Sequence, residues 1–154
     1  MKLSTREDLE APIDFVFARV TDFAAFERRA LRNGAQVVRH DEGAAQVGTI
    51  WDVDFTFRGR DRCVQATLVQ FDPPHALKVD SKSDGVIAVT EVELVALSPA
   101  RTRVIVGFEM RARTLTARLL LQSLKLAKAK LTKRFKARVL DYAEDVEDQY
   151  RATR

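Results

Sequence analysis

No glycine follows Gly107 and no proline follows Pro99. The last third of the chain, residues 114–150, therefore reads as one uninterrupted helix of some 35 residues, about 50 Å long. Leu120, Leu121, Leu124, Leu131, Phe135, Val139, Tyr142 and Val146 recur there at three- and four-residue spacing and form one apolar stripe. Most helical stability in proteins comes from packing such a stripe, so this helix must lie against a surface that is equally long and equally one-sided. That requirement frames the reading of the first 110 residues.

Residues 2–10 alternate. Leu3, Thr5, Glu7 and Leu9 share one side and Lys2, Ser4, Arg6, Asp8 and Glu10 the other, the pattern of a half-buried strand with Glu7 as the odd member of its inward row. Pro12 stands where a first helical residue should, Asp14 follows it, and Ile13, Val16, Phe17 and Val20 keep helical spacing. Thr21 or Asp22 can cap a second short helix with Phe23, Phe26, Ala30 and Leu31 inward and Arg28, Arg29 and Arg32 outward, stopped by Asn33-Gly34.

From residue 35 to 110 the turn marks Asp41-Glu42-Gly43, Arg58-Gly59-Arg60, Asp72-Pro73-Pro74, Ser83-Asp84-Gly85 and Ser98-Pro99 separate about six strands. In the clearest, 48–58, Trp51, Val53, Phe55 and Phe57 oppose Asp52, Asp54, Thr56 and Arg58. Val104, Val106, Phe108 and Met110 form a similar apolar row. Strands apolar on one side only make an antiparallel sheet with one wet face, here a meander. Between 62 and 71 the phase slips, with Val64, Ala66 and Leu68 pointing one way and Val69 and Phe71 the other, which predicts a bulge.

These elements predict an α+β fold: a curved antiparallel sheet of about seven strands around the long C-terminal helix, with two short helices after strand one. The 154 residues read as a single domain, 1–154, long enough to bury roughly two thirds of the unfolded surface. That order, with Ala11-Pro12 opening the first helix, Thr21-Asp22-Phe23 between the helices, Phe71-Asp72-Pro73-Pro74, and the run Arg113-Thr114-Leu115-Thr116-Ala117-Arg118-Leu119-Leu120-Leu121-Gln122-Ser123-Leu124, resembles the START-like SRPBCC superfamily, and within it bacterial members of the polyketide cyclase/dehydrase-like kind. The resemblance covers nearly the whole chain, through structural turns and not catalytic signatures. It implies a helix-grip fold with a cavity between sheet and C-terminal helix that accepts apolar or amphipathic molecules. Because the superfamily holds carriers, quinone-binding proteins, aromatase/cyclases and modules without a known ligand, the fold implies a site more firmly than an activity.

Charge is distributed unevenly. Residues 111–140 carry ten Lys or Arg and no acid, and the segments on either side are each net −3, so the overall +4 is a property of one helix. A solvated basic face is the common meaning of such a stretch. Nucleic acid is disfavoured because no reader motif or aromatic stacking platform accompanies the bases. Contact with an anionic membrane or an acidic partner stays open. Leu115, Leu119 and Leu126, on the far side of the same helix, either pack under the two short helices or are exposed and mark a homodimer or membrane contact. A lone Cys63 excludes an internal disulfide, the longest apolar cluster is far too short to span a bilayer, and no charged-then-apolar leader opens the chain. A cytoplasmic location is the expectation.

The sequence-derived ligand site follows from the apolar rows. Trp51, Val53, Phe55, Phe57, Phe108 and Met110 form the sheet wall, and Leu124, Lys128, Leu131 and Phe135 the helix lid. Lys128 falls inside the apolar stripe, where an unpaired ammonium is costly, so it either snorkels to solvent or meets a polar group in the cavity, with Glu7 as a candidate internal partner. The inventory for catalysis is thin. His40 and His75 fall in turns, Cys63 has no histidine near it in sequence, the pairs Asp52/Asp54 and Glu91/Glu93 read as solvated charge, and no phosphate loop or nucleophile elbow occurs. No cofactor or metal is implied. The function expected is binding or carriage of a small hydrophobic or amphipathic ligand, such as a lipid, quinone or polyketide-like molecule. The alternatives are a cyclase/dehydratase, implied by the resemblance alone and using Lys128 or Glu7 as its polar participant, and an interaction module.

Overall fold

The computed structural model describes residues 1–153. Strand β1 (Lys2–Leu9) leads into helices α1 (Ile13–Val20) and α2 (Phe23–Arg32). The meander β2 (Gln36–Arg39), β3 (Ile50–Phe57), β4 (Arg60–Asp72), β5 (Ala76–Ser83), β6 (Val86–Ser98) and β7 (Arg101–Ala112) follows, and α3 (Leu115–Leu126) and α4 (Lys128–Ala152) end the chain. The seven strands pair in the order β1-β7-β6-β5-β4-β3-β2, each pair antiparallel. β1 returns onto β7, with Leu3 opposite Phe108 and Leu9 opposite Thr102, so α1 and α2 carry the chain from one edge of the sheet to the other.

The expected phase slip is a bulge in β4, where the pairing to β5 shifts between Leu68 and Gln70. The extra residue lets both Leu68, fully buried, and Phe71, 5.6 Å from Phe17, serve the core. Around them Leu9, Val16, Leu94, Val104 and Val146 are almost wholly buried. The polar residues in this region are satisfied locally: the Thr102 hydroxyl donates to the Ala11 carbonyl at 2.8 Å, and that of Thr49 accepts from the Gln46 amide at 3.0 Å.

Helix boundaries follow their caps. Pro12 is the N-cap of α1 and not its first residue, with ψ of 150°. Asp22 caps α2 by accepting from the Ala25 amide, while the Thr21 hydroxyl donates to the Phe17 carbonyl. The inner face expected of α2 is only loosely covered: none of its residues is buried, and Phe26 and Leu31 are exposed.

The single long helix expected over 114–150 is two helices. Ala127 leaves helical geometry at φ −104°, ψ 17°, its amide bonded to the Leu124 carbonyl three residues back, and α4 starts afresh at Lys128. α4 runs on through its acid-rich end to Ala152, held by Tyr150 edge-on to Phe15 at 5.0 Å, by the Glu147 carboxylate accepting from the Glu10 amide at 2.7 Å, and by an Asp148–Arg151 pair.

Candidate ligand cavity

The sheet's inner face is not filled along its whole length. Along β7, Val104 and Val106 line one hollow of about 610 Å³, and Phe108 and Met110 line a second of about 420 Å³. Alternate residues of a strand are roughly 7 Å apart, so the two lie in line under the C-terminal helices. The smaller has Leu3, Phe55, Phe57 and Val64 on its sheet side and Leu120, Leu124 and Leu131 on its helix side. Its polar members, Arg62, Ser81, Lys82 and Ser83, all come from β4 and β5. The Arg62 guanidinium lies 5.5 Å over the Phe57 ring and donates from Nε to the Phe57 carbonyl, which fixes it at that side.

Two hairpin turns hold α3 over the smaller cavity. In the β3–β4 turn both Arg58 and Gly59 have positive φ, and Arg58 Nη1 donates to the Ser123 hydroxyl on α3 at 2.8 Å. In the β5–β6 turn the Gly85 carbonyl accepts from the Arg113 amide at 2.8 Å, and Thr114 caps α3 by accepting from the Ala117 amide. A Cβ on Gly85 would stand 2.5 Å from the Thr114 hydroxyl oxygen, so the turn can approach the cap this closely only as glycine.

The larger hollow is walled by Leu9, Val16, Val20, Val104 and Phe135, with Arg29, Arg138, Asp141 and Asp145 as its charged members. Tyr142 lines it, its ring 5.8 Å from that of Phe26 and with the Arg29 guanidinium at the same distance. Burial pushes the Tyr142 hydroxyl up to about 12, so it remains protonated there.

The structure brings Phe55, Phe57, Phe108, Met110, Leu124 and Leu131 to one cavity. Phe135, one helical turn beyond Leu131, falls in the neighbouring hollow. Trp51 does not join them. It is buried at the other end of the inner row under Phe23, 5.1 Å away, and its indole N–H donates to the Glu27 carboxylate. Val53 is half-buried between Val37 and Val64 and lines neither space. Lys128 is exposed as the first residue of α4, and Glu7, half-buried opposite Val104 on β7, lines neither space, so the pair does not meet in the cavity. The helix break explains Lys128: the stripe's phase restarts at Ala127, and the position that a straight helix turns inward faces water. Sequence reasoning passed over Leu3, Val64 and Leu120, although each sits in an apolar row already recognised, and Arg62, which continues the inward row of β4.

Elsewhere the titratable groups make surface pairs. His40 Nε2 lies 2.7 Å from the Asp52 carboxylate and holds it below its ordinary value, and a hydrogen bond with Asp54 raises the exposed Cys63 thiol. Such a raised thiol is a poor nucleophile. Among the described residues no cluster of His, Cys, Asp and Glu is placed to hold a metal, and no helix is long and apolar enough to cross a membrane.

No family model and no curated protein sequence matches the chain. Solved structures do match in fold. A Thermus thermophilus protein superposes with a TM-score of 0.68 at 14% identity, covering 95% of this chain and 97% of its own. The ZhuI aromatase/cyclase from a Streptomyces species gives 0.63 at 15% identity, covering 94% and 93%. An HSP90 activator from Plasmodium falciparum gives 0.51 at 17% identity over 71% and 72%.

Proposed function

For a chain with the helix-grip fold of the START-like SRPBCC superfamily, we propose binding or carriage of a small apolar or amphipathic molecule between the sheet and the C-terminal helices. The observation that carries this reading is the cavity of about 420 Å³ beneath α3, apolar on both walls and polar on one side only. Volumes of this order suit small organic ligands, and their walls characteristically combine apolar surface with a few placed polar groups. An apolar body against Phe55, Phe108, Leu120 and Leu124 gains by leaving water, about 25 cal/mol for each Å² buried. Arg62 favours a ligand whose polar end is anionic or carbonyl-bearing, a lipid, quinone or polyketide-like molecule among them. The larger hollow beside it gives a longer ligand room to extend toward Phe135 and Tyr142.

The enzymatic alternative draws its support from the likeness to an aromatase/cyclase, which is one of fold. Its nominated participants, Lys128 and Glu7, line neither space, and in its place Arg62 or Tyr142 would have to act. Mass spectrometry of molecules carried through purification from the native cells, with displacement of an apolar fluorescent probe, tests the binding reading. One bound apolar molecule per chain is expected, and Leu124→Trp, which fills the cavity, abolishes it while the protein stays folded. Undiminished probe binding in the filled variant refutes this location. Turnover of a polyketide substrate, lost in Arg62→Met or Tyr142→Phe, decides for the enzyme.

A further inference from the structure

α3 has two apolar faces. Ala117, Leu120, Leu121 and Leu124 turn toward the protein, whereas Leu115, Leu119 and Leu126 are 74%, 59% and 92% exposed. At 100° per residue those three leucines fall within about 40° of one another and opposite the covered face. They form a stripe in water, and the packing under the short helices that would have hidden them does not occur. Arg118 and Lys125 flank the stripe on one side, and Arg113, Lys128 and Lys130 stand just beyond the two ends of α3, all exposed. None of the five makes an ion pair among the described residues, whereas Arg103, Arg101 and Lys78 on the sheet pair with Asp8, Glu10 and Glu91.

We propose that the outer face of α3 docks on an anionic lipid surface, with Leu115, Leu119 and Leu126 sunk below the headgroups and the surrounding bases at their level. Charge complementarity selects this occupant. A second copy meeting the same face across a two-fold axis sets Arg118 and Lys125 against their own counterparts with no acid between residues 111 and 140 to relieve them. A nucleic acid answers the bases but leaves the three leucines in water. An acidic bilayer answers both, and an amphipathic helix flanked by bases is the form that lies in such an interface. The inner face of α3 roofs the smaller cavity, so docking sets that cavity beside the bilayer. That it serves ligand exchange there rests on the proposed function; the docking itself does not.

Co-sedimentation of the full chain with phosphatidylcholine vesicles, with and without phosphatidylglycerol, tests the docking. Binding is expected to the acidic vesicles alone and to weaken as salt rises. Leu115→Asn, Leu119→Asn and Leu126→Asn together change only exposed side chains and should weaken it about tenfold or more, and Lys125→Gln with Lys128→Gln by about thirtyfold. No sedimentation with acidic vesicles at low salt overturns the proposal. So does binding indifferent to the three leucines, or light scattering that shows a leucine-dependent dimer. Probe binding in the cavity, measured on the same variants, is expected to be unchanged, so loss of docking and failure of the ligand reading give different results.

Discussion

One sheet face, written in one alternating pattern, is closed tightly at one end and left hollow at the other. At the closed end Leu68, Leu77 and Leu94 disappear under α1 and the C-terminal half of α4, where Val146 is 1% exposed. At the other end Phe55, Phe108 and Met110, in the same inward rows, are only half-buried below α3. Residue type does not distinguish the two, since both are aliphatic and aromatic. What differs is the covering. α4 packs along β1 and against α1, while α3 meets β7 and is held off the sheet by two hairpin turns. Alternation decides which side chains face inward; the elements laid over them decide whether that space is filled.

Paired truncations give the sharpest break between the two ends. Leu94→Ala removes a side chain that is only 2% exposed and should cost about 2–5 kcal/mol in urea unfolding. Leu124→Ala merely enlarges a space that already exists, and should cost under about 1.5 kcal/mol while changing probe binding. Equal losses at the two positions would mean that the cavity end is packed as a core.

Tyr142 stands where closed and hollow ends meet. Its hydroxyl is raised by burial from an ordinary value of 10 to about 12, so between those pH values the native state keeps a proton that the unfolded chain releases. Stability is then complete below about pH 10 and is lost as pH rises through 12, by about 2–3 kcal/mol for this group. The alkaline difference between the wild type and Tyr142→Phe, from urea titrations across that range, isolates it. A tyrosine titrating near 10 in the folded protein would extend the wet, hollow region as far as Tyr142.

Local chemistry made most of the fold legible. Strand rows and turn residues act over two to five positions, and so the order of elements, the seven strands and the β4 bulge could be read directly. The helix-grip resemblance held as fold. The break at Ala127 was not legible, because Leu126-Ala127-Lys128-Ala129-Lys130 contains only good helix formers. It arises because α3 and α4 rest on different partners, a tertiary cause with no local signal. The misplacement of Lys128 follows from extrapolating one stripe across that break. Glu7 and Trp51 were read correctly as inward positions, but inwardness cannot say which end of the sheet is hollow. The exposed leucines of α3 were visible as a second apolar group, and only the fold shows that nothing in the described residues covers them.

The smallest effect tests the clasp that keeps α3 above the cavity. Thr114→Ala removes the hydroxyl that accepts from the Ala117 amide and should cost about 1 kcal/mol. Gly85→Ala forces an alanine to φ +79°, worth about 1–2 kcal/mol, and drives its methyl against the Thr114 side chain. The atoms nearest that methyl are Thr114 Oγ1 at 2.5 Å and Cγ2 at 2.7 Å, both absent after Thr114→Ala, so the double variant should be less destabilised than the sum of the singles by about 1 kcal/mol. Hydrogen exchange locates the effect: amides of α3 should lose protection in Gly85→Ala while those of β6 around Leu94 keep theirs. Additive costs, or protection lost at both ends together, would show that the roof and the closed end open as one unit and that α3 is no separately held cover.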